Sequence, residues 1–114
     1  EGPQNIRLEE NPTPLEIGMV TSNEPGVYLA NEYGIRTENL IVTQEYKKTE
    51  DFGTFYHFET ITLCPIDTTP IEKDLLTEDE VNWLNHYHAM VYEKLAPHLD
   101  EEEKTWLKNK TKAI

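Results

Sequence analysis

Cysteine is almost absent: Cys64 is the only one in 114 residues. This rules out an internal disulfide and points to a reducing compartment, the cytoplasm, with the thiol packed as a small apolar side chain. Basic residues are also few. Ten Lys and Arg stand against 22 Asp and Glu, a formal net charge of −12, which argues against nucleic acid and anionic membranes as partners, since both need clustered cations. There is no run of about 18 apolar residues and no signal-peptide pattern at the start, so the sequence predicts no membrane span. The first residue is Glu1 rather than Met, as in a processed protein, a trimmed one or a piece of a longer chain.

What is present suffices for a folded core. Hydrophobic residues make up 37%, with two Trp, six Tyr and three Phe, and the length suits one domain or part of one. Residues 1–16 are polar and dotted with Pro3, Pro12 and Pro14, a loop or extended entry. From Gly18 the runs GMVTSNEPGVYLA and GIRTENLIVTQEY are rich in Val, Ile, Thr and Tyr and predict strands. A charged connector, QEYKKTEDFG, follows at 44–53. The run TFYHFETITLCPI at 54–66 predicts another strand, ended or held at an edge by Pro65, and residues 67–76 look irregular. At Thr77 the hydrophobic period changes. Thr77 and Glu80 form a capping box, and Val81, Leu84, Tyr87 or His88, Val91 and Leu95 mark one face of a helix ending at Pro97. A second helix starts at Asp100, with acids at 101–103 and lysines at 108, 110 and 112 matching the helix dipole; Trp106 and Leu107 are its expected apolar contact. Strands followed by helices predict an α+β chain.

The stretch NEPGVYLANEYGIRTEN, residues 23–39, carries the chemistry. If its two halves pair as an antiparallel hairpin around Ala30, Asn31 and Glu32, facing positions have numbers that add to 62. Glu24 then opposes Glu38, Gly26 opposes Arg36 and Tyr28 opposes Gly34, all six on one face, while Val27, Leu29, Tyr33 and Ile35 form a core-like face. Opposed carboxylates a few ångströms apart need a cation or a shared proton, and Gly26 and Gly34 leave room for something to approach the sheet. From the pattern alone, two solvated glutamates on an exposed strand are the commoner reading, since a one-residue bulge would break this registry. Pro25 cannot donate to a ladder, so this run is expected at an edge or to break there.

The motifs E-P-G-x-Y (Glu24 to Tyr28) and G-x-R-x-E-N (Gly34 to Asn39), preceded by EGPQNIR and followed by FYHFETITLCPIDTTPI, resemble the C-terminal part of the Xaa-Pro aminopeptidases, metallopeptidases of the pita-bread fold. The resemblance runs through essentially the whole chain. It implies that residues 1–48 close the catalytic domain, and that 49–114, a strand and two helices, form the C-terminal extension of the longer aminopeptidase P type. It also implies two divalent ions, usually manganese, held by two Asp, one His and two Glu, which activate a water for attack on the bond before proline. By motif, Glu24 is a metal ligand that also takes the water's proton, and Glu38 bridges the ions. Tyr28 and Arg36 order the pocket around them. The substrate implied is a peptide with proline in second position. In the family pattern the two Asp and the His lie upstream of the position of Glu1, so a C-terminal fragment carrying two of five ligands, inactive by itself, is expected.

Other polar residues read differently from this set. Glu59, in an F-E-x-T context, resembles a metal glutamate of a related branch but reads better as a structural strand residue. His86 and His88 are two apart and do not share a helical face; His57 reads as packing. The acidic run 100–104 reads as helix capping, since the spacing of a calcium loop is absent. Trp83, Tyr87 and Met90 widen the helical stripe and could pack on the strands or form a homodimer contact through the C-terminal helices. A metal-free pita-bread binding module and a prolidase or creatinase-like hydrolase are the competing functions.

Overall fold

The computed structural model describes residues 4–6 and 12–114, and the chain divides into two compact units, residues 1–62 and 63–114. Among the described residues of the first unit, five strands follow one another: β1 (Val20–Asn23), β2 (Gly26–Leu29), β3 (Tyr33–Arg36), β4 (Asn39–Thr49) and β5 (Gly53–Thr60). They make a three-stranded sheet in the order β1-β4-β5 and a two-stranded sheet of β2 and β3, all antiparallel.

The hairpin registry is the one the sequence predicts. Gly26 pairs with Arg36, Val27 with Ile35, Tyr28 with Gly34 and Leu29 with Tyr33. The turn holds Asn31 at φ 61°, a left-handed conformation that asparagine tolerates better than most residues. The same sum of 62 continues in β1 and β4, from Asn23 opposite Asn39 to Val20 opposite Val42. Both arms are therefore single extended runs. Each is interrupted once, at Glu24-Pro25 and at Thr37-Glu38, because Pro25 has no N–H to give; its carbonyl still accepts from Thr37 N–H at 3.2 Å.

The structure corrects several expectations. Residues 44–53 are no connector: β4 continues through them to Thr49, and the chain turns at 50–52 into Gly53, which has φ +76°. Their charges sit on a hairpin exposed on both sides, where polar residues cost nothing in the ladder. One irregularity, between Glu45 and Lys47, leaves Tyr46 unpaired, as a bulge does. The strand expected over 54–66 stops at Thr60. The core-like face of the hairpin is also not buried: Val27, Leu29, Tyr33 and Ile35 are all exposed, since a two-stranded hairpin has no layer of its own to cover it. Burial in this unit falls on Thr21, Asn39, Ile41 and Thr43, on the opposite parity from Glu24 and Glu38.

The second unit is helical. Helix α1 (Glu78–Leu95) begins at Thr77 with both halves of a capping box, Glu80 N–H to Thr77 Oγ1 at 3.3 Å and Thr77 N–H to Glu80 Oε2 at 2.8 Å. Helix α2 (Glu101–Lys110) repeats the device with Asp100 and Glu103. The core is Leu84, Tyr87 and Val91 of α1 with Leu107 of α2, and Ile66, Ile71, Met90 and Leu99 pack around it. Tyr87 and His88 are both buried. Trp106 is not: it is exposed, and Leu107 alone makes the α2 contact. Cys64 is likewise exposed, so it is not a core thiol; the Tyr87 hydroxyl donates to its carbonyl at 2.7 Å and thereby holds the backbone of that segment rather than its sulfur. Trp83 stacks on Tyr87 with rings 5.4 Å apart and 2° from parallel and stays half exposed. None of the described helices is long and apolar enough to cross a membrane.

Candidate metal centre

Strand parity brings Ser22, Glu24, Arg36 and Glu38 to one face, next to the break that Pro25 imposes. Arg36 lies between the two carboxylates. Its Nη1 is 3.5 Å from Glu24 Oε2 and its Nη2 is 3.0 Å from Glu38 Oε2. Both glutamates are therefore within the span of one guanidinium, as the registry requires of residues 24 and 38. The Arg36 pKa is raised, first by Glu38, then by a hydrogen bond with Tyr28, with Glu24 a smaller contributor; it is a fixed cation under all ordinary conditions. Ser22 Oγ donates to the other Glu24 oxygen, Oε1, at 2.9 Å. A shallow hollow of about 380 Å³, lined by Val20, Ser22, Glu24, Arg36, Glu38 and Leu40, opens over the group.

Tyr28 takes up the space that the two glycines leave. A Cβ on Gly26 would lie 2.6 Å from the Tyr28 hydroxyl oxygen, and one on Gly34 would lie 2.6 Å from Tyr28 Cδ1. The room read from the sequence is thus filled by the protein's own aromatic ring and not left for a visitor. All four of Glu24, Tyr28, Arg36 and Glu38 are brought together, as the sequence expects, and Ser22 is the member it missed. Ser22 has Glu24's parity, two residues earlier on the same run, and that signal was available.

The other candidates stand apart. Glu59 pairs with Val42, four residues along β4 from Glu38, and is met by Gln44 Nε2 at 3.4 Å. His57 packs on Tyr46, ring centroids 5.7 Å apart. His86 bonds the Asn82 carbonyl oxygen of its own helix at 2.7 Å. Among the described residues, no group of three or more His, Cys, Asp or Glu is arranged to hold a metal ion. Glu24 and Glu38 are a pair of hard oxygen donors, and one guanidinium against two carboxylates leaves a net negative charge. That donor set suits a divalent cation such as Mn²⁺ or Mg²⁺ better than a soft one.

Residues 1–45 match the profile of metallopeptidase family M24, and residues 54–114 match the C-terminal region of peptidase_M24. The chain is 44% identical over 120 residues to "Probable Xaa-Pro aminopeptidase P" of Coprinopsis cinerea, covering all of this chain and 19% of that protein. It is 43% identical to aminopeptidase P2 of Arabidopsis thaliana, covering all of this chain and 17% of the plant protein. The chain thus spans about a fifth of the length of the curated relatives it matches. Among solved structures, X-prolyl aminopeptidase of Caenorhabditis elegans, described as a cytosolic enzyme with a di-nuclear active site, superposes with a TM-score of 0.75 at 39% identity, over 88% of this chain and 17% of that one. Its likeness carries the antiparallel strands and the two C-terminal helices alike. With a carboxylate pair in the E-P-G-x-Y and G-x-R-x-E-N hairpin and a matching C-terminal region, this chain belongs to the M24 metallopeptidases.

Proposed function

We propose that the protein containing this chain is a dinuclear-metal Xaa-Pro aminopeptidase, releasing the N-terminal residue of peptides with proline in second position. The observation that carries this reading is the registry of the hairpin, which sets Glu24 and Glu38 across from each other within reach of one Arg36. The cation that opposed carboxylates call for is a pair of divalent ions, with manganese the preferred identity. Glu24 and Glu38 would hold such ions, which would supply an acidified water and a Lewis acid for the scissile carbonyl.

The residues of this chain have separate tasks. Glu38, whose Oε2 lies 3.0 Å from Arg36 Nη2, would be one of the residues holding the ions. Glu24 would be a second such residue and would take up a proton at its carboxylate, whose rotation the Ser22 hydroxyl fixes. Arg36 keeps the two carboxylates together against their mutual repulsion, and Tyr28 supports Arg36. Two carboxylates are too few for a tight site, so this chain alone is expected to be inactive and to bind metal weakly; the two Asp and one His that the family pattern calls for are not among its motifs.

Residues 1–48 close the catalytic domain in this reading, and residues 49–114 are the extension, whose β5 completes the sheet begun by β1 and β4. The compartment is the cytoplasm, in keeping with a single cysteine and with the cytosolic nematode relative. A homodimer through the helical region rests on Trp83, the member of its stripe that stays at the surface. The decisive experiment is an assay of the full-length protein on an Xaa-Pro peptide with Mn²⁺. Glu24→Gln and Glu38→Gln are each expected to abolish turnover by more than about 100-fold, exceeding what loss of a supporting residue costs. Retained turnover in either variant removes it from the metal centre.

A further inference from the structure

Glycine in a strand weakens it, because the backbone is freer when unfolded and no side chain packs. Two stand in the paired part of this hairpin, Gly26 and Gly34. Neither has the left-handed backbone that would demand glycine; among the described glycines only Gly18 and Gly53 do. Alanine would fit the backbone at both places, so the reason for glycine is space. That space is occupied by one side chain. Tyr28 faces Gly34 across the hairpin and follows Gly26 by two residues, so its ring lies over both, with Cδ1 above Gly34 and the hydroxyl above Gly26. Arg36 is the residue paired with Gly26. The hydroxyl therefore ends beside the arginine, which in turn spans Glu24 and Glu38. With Tyr28 64% exposed, nothing among the described residues presses the ring down from above, and the bare backbone beneath it sets its height.

We propose that Gly26 and Gly34 are positioning residues for the carboxylate pair: they form a floor on which the Tyr28 ring lies flat, and the ring's hydroxyl holds Arg36 where it can span Glu24 and Glu38. A methyl group at either glycine lifts the ring. The strand itself survives, because a flexible aromatic side chain gives way and backbone does not. What is lost is the aim of Arg36, and with it the spacing of the two glutamates. This inference rests on the metal-centre reading for its consequence, but the floor itself does not.

The test uses full-length protein and two readouts, Mn²⁺ affinity by calorimetry and the Arg36 Nε–H resonance in metal-free protein by NMR. Gly34→Ala is expected to unfold no lower than wild type without metal, to shift the Arg36 resonance as Tyr28→Phe does, and to bind Mn²⁺ about 10- to 100-fold more weakly. Gly26→Ala behaves alike. In a Tyr28→Ala background, Gly34→Ala adds no further loss, because the two substitutions remove one support. An unmoved Arg36 resonance in Gly34→Ala, or losses in Mn²⁺ affinity that add in full, overturns the proposal. If Glu38→Gln binds Mn²⁺ as tightly as wild type, the metal reading fails by itself; the Arg36 resonance then still decides whether the glycines position the ring.

Discussion

At the scale of single residues, His88 is the most informative group outside the hairpin. It is fully buried, and its Nε2 accepts from the Ile66 N–H at 3.1 Å, so the lone pair that a second proton needs is already engaged. Burial lowers its pKa below the usual 6.5. The unfolded chain therefore binds a proton at a higher pH than the folded one. Stability is complete above about pH 6.5 and falls as the pH drops below it, since ionising His88 in place costs the folded state. Urea unfolding of the protein from pH 8 to pH 5 should show this loss, and His88→Gln should flatten it while lowering stability throughout. A slope that is the same in both proteins assigns the acid sensitivity elsewhere. Ser22 is the other residue with a measurable role. Ser22→Ala frees Glu24 Oε1 and is expected to weaken Mn²⁺ binding by about 10-fold with no change in the melting temperature of metal-free protein.

At the scale of elements, the helices carry their own instructions. Thr77 and Asp100 each accept from the backbone N–H three residues on, and Glu80 and Glu103 return the bond to the cap residue's own N–H. Thr77→Ala and Asp100→Ala should each cost about 1 kcal/mol in chemical denaturation. Leu107→Ala should cost more, about 2–5 kcal/mol, because it leaves a cavity against Leu84, Tyr87 and Val91; a loss as small as that of a cap would mean the helices repack. Both helices were legible because cap, period and terminal charges agree. The strands were legible in type and registry but not in extent. β4 runs through Lys47 and Lys48 because a hairpin exposed on both faces places no demand on hydrophobicity, and hydrophobicity is what marks a strand in sequence. Trp106, Cys64 and the outer face of the β2–β3 hairpin were misjudged for the converse reason. Apolar composition shows what can be buried, but whether anything lies opposite depends on packing.

At the scale of the whole molecule, the chain spans about a fifth of the length of the curated relatives it matches. In the proposed enzyme, Trp83, stacked on Tyr87 and half exposed, is the surface residue on which subunit contact rests. Light scattering after size exclusion should find full-length protein dimeric and Trp83→Ala shifted toward monomer; two monomers, or two equal dimers, remove Trp83 from any interface. This chain by itself should show no turnover of an Xaa-Pro peptide with Mn²⁺, and turnover would overturn the two-of-five ligand assignment.

The order of residues alone determined where the hairpin turns, which positions face one another and which side chains share a face, because the period of two along a strand and the constraint of a three-residue turn leave one registry open. It likewise determined the helix starts, through local capping. Only the tertiary structure decided that Tyr28, and not an outside molecule, fills the space over Gly26 and Gly34, that one guanidinium spans both glutamates, and that Cys64 and Trp106 remain outside the core. Those outcomes depend on rotamers and on what lies across a gap, and neither is encoded in the spacing of residues along the chain.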